Sequence, residues 1–119
     1  MKDFRSLKVW EKAHAFVLWV YKETAAFPTE ERYGLTSQMR RAAVSIPNNI
    51  AEGCGRGSDP DMARFIQTSM GSASEVEYLL LLSRDLSLLS KGPYQKMTSE
   101  ITEIKRMLTG LIKTLKADR

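Results

Sequence analysis

The chain has 119 residues, 43% hydrophobic and 27% charged, and 18 Lys and Arg against 14 Asp and Glu give it a net charge of +4. That length is read as one domain over residues 1–119, large enough to bury an ordinary core without staples. A single cysteine, Cys54, excludes an intrachain disulfide framework and a multi-cysteine zinc site, while the mild positive charge permits a polyanionic partner without requiring one.

The first apolar stretch, Ala13 to Tyr21, contains His14, lies between Lys12 and Lys22, and is far shorter than the roughly 20 residues a membrane span needs. A soluble cytoplasmic protein is the expectation. Around it, Leu7, Trp10, His14, Val17, Tyr21 and Thr24 follow 3,4 spacing and predict a helix from about Leu7 to Phe27, stopped by Pro28. The second predicted helix starts near Leu35 and carries Leu35, Met39, Ala42, Ala43, Ile46, Ile50 and Cys54 on one side. Pro47 falls inside it, where a missing donor and a crowded carbonyl predict a kink; Gly53, Gly55 and Gly57 end it.

Asp59 and Pro60 read as the cap and first turn of a third helix that runs to Leu89. Its consecutive leucines Leu79, Leu80, Leu81 and Leu82 point around the whole circumference, so at least one is expected at an interface with another subunit. After Lys91, Gly92 and Pro93, the residues Tyr94, Met97, Ile101, Ile104, Leu108, Leu111 and Leu115 step strictly by 3 and 4 and define a fourth helix. The expected fold is all-α: an up-down-up-down antiparallel four-helix bundle with the second helix kinked at Pro47.

No catalytic, metal or cofactor residues are expected. Glu11 and His14 have the Glu-x-x-His spacing of bundle di-iron sites, but one histidine per chain cannot supply the two motifs such a site uses, so His14 is expected at a helix interface. Cys54 has only Arg56 near it in sequence to stabilise a thiolate and reads as an inert small residue. On the second helix Gln38, Arg41, Ser45, Asn49 and Glu52 form a polar stripe, best read as a structural or interfacial hydrogen-bond network because no nucleophile and base are paired in it. Charge is the more informative signal. From Lys91 onward there are seven Lys or Arg against three Asp or Glu, whereas residues 1–90 hold eleven of each sign. Lys105, Arg106, Lys113, Lys116 and Arg119 lie mostly off the apolar stripe of the fourth helix, and are the expected contacts for RNA or DNA.

Particular residues add a family likeness. Phe27-Pro28, Tyr33-Gly34-Leu35, Gln38, Arg40-Arg41-Ala42, Ser45-Ile46-Pro47, Asn49-Ile50-Ala51-Glu52-Gly53, Phe65, Gly71-Ser72 and Glu75, with Phe4, Leu7 and Trp10 before them, resemble the four-helix-bundle family named for 23S rRNA intervening sequences. The resemblance implies a bundle that associates as a five-fold ring, which would account for the surplus leucines. It also implies a link to rRNA intervening sequences or to retroelement accessory factors that contact a reverse transcriptase and nucleic acid. The functional expectation is a non-enzymatic homopentamer whose basic surface binds RNA or DNA non-specifically. The alternative is a protein-interaction scaffold for a partner such as a reverse transcriptase.

Overall fold

The computed structural model describes residues 3–117, so Arg119, counted among the expected nucleic-acid contacts, lies outside the described residues. Those residues form four α-helices and no strand: α1 (Lys8–Thr24), α2 (Leu35–Cys54), α3 (Asp59–Asp85) and α4 (Lys91–Lys116). Short 3-10 turns at Phe4–Ser6 and Thr29–Glu31 precede α1 and α2. Helix α1 packs on α2 and α4, α2 on α3, and α3 on α4. The result is an all-α rod about 47 Å long and 20 to 23 Å across.

Hydrogen bonds and ring contacts fix the relative direction of neighbouring helices. Ser69 pairs with Ile46, Ser72 with Ser45, and Glu75 with Gln38, so positions descend along α2 as they ascend along α3. Between α3 and α4, Arg84 lies over Tyr94 and Glu77 accepts from Lys105 in the same opposed order. Both pairs are antiparallel. Helix α2 continues through Pro47 to Cys54 without a break in its assignment.

Each end has a local cause. α1 stops at Thr24, three residues before the expected boundary. There the Thr24 hydroxyl donates to the Val20 carbonyl at 2.7 Å, and the chain turns Phe27 inward ahead of Pro28. Gly34 precedes α2 without a side-chain cap; the Glu31 carboxylate instead accepts from the Leu35 amide at 3.1 Å. The cap of α3 is Ser58 rather than Asp59, its hydroxyl accepting from the Asp61 amide. α3 ends at Asp85 rather than Leu89 because Ser87 adopts φ 63°, and the Leu88 amide folds back to the Ser83 carbonyl at 2.9 Å.

The core runs the length of the rod through Phe16, Val20, Met39, Ile46, Ile50, Ile66, Val76, Met97, Ile101, Ile104 and Leu108. Ala13, Ala43 and Ala73, all fully buried, keep the helices close. At Gly53 a Cβ would stand 3.1 Å from Phe65 Cβ and 3.3 Å from the Met62 carbonyl, so α2 and α3 meet there nearly backbone to backbone. The four leucines divide. Leu79 and Leu80 are buried in this core and cannot serve a second subunit, because α3 has neighbours on two sides and so buries a face wider than one stripe. Only Leu81 and Leu82 stay half-buried.

Candidate nucleic-acid interface

The fourth helix carries the expected basic side chains, but two of them are already matched. Lys105 Nζ donates to Glu77 Oε1 of α3 at 2.8 Å, and Arg106 donates through Nε and a terminal nitrogen to Glu103 one turn earlier. Those hydrogen bonds hold the Glu103 carboxyl below the ordinary carboxylate range and push Arg106 up, so both stay ionised and mutually compensated at neutral pH. Lys113 and Lys116 are exposed.

The polar stripe of α2 is partly assembled. Gln38, Arg41 and Ser45 line an open groove of about 520 Å³ with Tyr33, Ser37, Ser72 and Glu75. Ser72 donates to Ser45 at 2.7 Å, and the Asn49 amide donates to the Ser45 hydroxyl at 3.0 Å and to the Ser45 carbonyl at 2.9 Å. The hydroxyls are thus bonded to a hydroxyl and an amide rather than to a base. Glu52 stands apart from the groove and accepts from Asn48.

A second cleft, of about 470 Å³, opens on the other side of Arg41, where the end of α1 meets the start of α2. Its lining is Tyr21, Arg32, Tyr33, Thr36, Ser37, Arg40, Arg41 and Val44, with three guanidinium groups and no carboxylate. Arg40 is held in place: Nε donates to Thr24 Oγ1 at 2.9 Å, a terminal nitrogen reaches the Tyr21 carbonyl at 3.4 Å, and the guanidinium lies 4.5 Å from the centre of the Tyr21 ring. Arg41 donates to Ser37 at 3.4 Å, and Arg32 lies 5.7 Å from the Tyr33 ring centre. Arg32 and Arg41 are exposed, and none of the three arginines has an ion pair among the described residues. No α4 side chain lines the cleft.

The remaining candidates are structural. His14 is exposed at the edge of the groove between α1 and α2, its ring stacked 5.0 Å from Trp10, which in turn meets Phe4 edge-on. Cys54 is buried. Among the described residues no group of three or more His, Cys, Asp or Glu could hold a metal, and no helix is long and apolar enough to cross a membrane.

Comparison with known proteins places this geometry. The family model described as "23S rRNA-intervening sequence protein" matches residues 5–110. The chain belongs to that family. A similar fold is seen in the crystal structure of a protein of unknown function from the S23 ribosomal protein family of Bacteroides thetaiotaomicron. It superposes with a TM-score of 0.81 at 24% identity, over 88% of this chain and 95% of that one, and so supports the fold alone. A search of curated proteins found no match. Within this family member, α2 thus supplies one wall to both clefts, and Tyr33, Ser37 and Arg41 belong to both.

Proposed function

We propose that the protein is a non-enzymatic, cytoplasmic, homo-oligomeric bundle that binds RNA or DNA through phosphate contacts, assembled as the five-fold ring its family resemblance implies. The observation that carries the nucleic-acid reading is the cleft of Arg32, Arg40 and Arg41, three cations with no carboxylate in the lining. Planar guanidinium forks suit phosphate oxygens, and cations without carboxylate partners neutralise phosphates at no cost in broken ion pairs. The family description names 23S rRNA, which agrees with a polyanionic partner. Half-buried Leu81 and Leu82 and exposed Leu18 and Leu86 support self-association. A ring would repeat the cleft and raise avidity for a long polymer.

Fluorescence anisotropy with a generic RNA, with light scattering on the same sample, tests this reading. Binding is expected to weaken steeply between about 50 and 200 mM salt, in proportion to the phosphates neutralised. No binding at the lower salt, or binding indifferent to salt, contradicts it; a monomer at micromolar concentration contradicts the assembly. A second reading, a scaffold for a protein partner such as a reverse transcriptase, has its own observation. Phe4, Trp10, His14, Val17, Val44, Pro47, Asn48 and Ala51 line a mainly apolar groove of about 290 Å³ between α1 and α2. A partner polymerase that stays bound after nuclease treatment would favour it.

A further inference from the structure

Phosphate contacts leave part of the arginine cleft unused. Two tyrosines stand in its lining, and they are presented differently. One face of the Tyr21 ring is taken by Arg40 at 4.5 Å, so Tyr21 helps to hold a cation. Tyr33 is 88% exposed, more than any other large hydrophobic side chain with a described placement. It sits on the turn between Arg32 and Gly34, with the Arg32 guanidinium 5.7 Å from its ring centre, leaving the other face open, and with Arg40 and Arg41 in the same lining. A double helix offers such a ring nothing, because its bases are stacked on one another and only backbone and groove edges face outward. An unpaired strand offers flat base faces at the same spacing as its phosphates. Aromatic platforms set among cations are the usual means of holding single strands without reading their sequence.

We infer that the cleft takes single-stranded RNA or DNA, one base lying on the Tyr33 ring while the adjoining phosphates meet Arg32, Arg40 and Arg41. This rests on the nucleic-acid reading above and names the form of nucleic acid. The cleft's volume of about 470 Å³ lies in the range of sites for small groups. Because Tyr33, Ser37 and Arg41 are shared with the neighbouring groove, a strand crossing Arg41 enters a lining of Gln38, Ser45, Ser72 and Glu75. There the hydroxyls and the amide meet base edges, and Glu75 turns phosphates away from that side.

The test compares labelled oligoribonucleotide and oligodeoxyribonucleotide strands of about 20 nucleotides with a blunt duplex of the same length and a polyglutamate peptide, using the full chain. Wild type is expected to hold either single strand at least tenfold tighter than the duplex. Tyr33→Ala should weaken single-strand binding by about 5- to 150-fold, the range for one stacked base, with duplex binding unmoved. Tyr33→Phe should retain wild-type affinity, and Arg41→Gln should lower the salt slope by about 0.7 for a single strand. Equal affinity for duplex and single strand, no effect of Tyr33→Ala, or a Tyr33-independent grip on polyglutamate of equal strength overturns the inference and leaves polyanion binding standing. Failure to bind any of the nucleic acids overturns both.

Discussion

Arg40 Nε donates to Thr24 Oγ1, and a terminal nitrogen reaches the carbonyl of Tyr21, so a cation closes the last turn of α1, where the helix dipole is negative. Its neighbour Arg41 is exposed, and its one side-chain hydrogen bond among the described residues goes to Ser37. Replacing Arg40 by Leu should therefore cost about 1–2 kcal/mol in urea unfolding, from lost hydrogen bonds, dipole contact and the Tyr21 ring. Arg41→Leu should stay within about 0.5 kcal/mol of wild type while weakening RNA binding. In the sequence Arg41 reads as part of a structural stripe, and nothing there marks Arg32, Tyr21 or Tyr33 as nucleic-acid contacts. Neighbours in the cleft come from separate segments, and no periodicity connects Tyr21 to Tyr33 or to Arg40. Summing charge by segment also counts cations without their counter-ions. Glu77, 28 residues before Lys105, cancels a charge that appeared available in the last helix.

At the scale of elements, the apolar stripe of α4 was legible nearly residue by residue: Met97, Ile101, Ile104, Leu108 and Leu115 are all buried. A 3,4 step is a direct image of one face against one core. α3 was less legible because it lies between α2 and α4 and buries more than one stripe: Leu79 and Leu80 continue its apolar face and are buried, but four consecutive leucines do not by themselves show that Leu81 and Leu82 are the pair left half-buried. Helix ends depend on single residues and were shifted by one to four positions. Ser87 is the clearest case, a non-glycine residue at φ 63° that terminates α3. Ser87→Gly removes the Cβ from that left-handed conformation, and should stabilise the protein by about 1 kcal/mol, read as a rise in thermal midpoint of several degrees. An unchanged or lowered midpoint would mean that the Ser87 side chain has a compensating role.

Over the whole molecule, the family, the helical class and the long core follow from patterns that run through the chain, whereas the site arises where the end of α1 meets the start of α2. The rod carries cations on α4 and in the arginine cleft, and the cleft is the proposed site of nucleic-acid binding. The most direct test is single-strand RNA affinity across a salt series for two double charge reversals, Arg32→Glu with Arg41→Glu and Lys113→Glu with Lys116→Glu. Both change the net charge by the same amount and both pairs are exposed, so long-range electrostatics and folding are matched. The cleft variant should lose at least tenfold more affinity than the α4 variant and show the shallower salt slope. Equal losses, or a larger loss from the α4 pair, would contradict the assignment and return binding to the last helix.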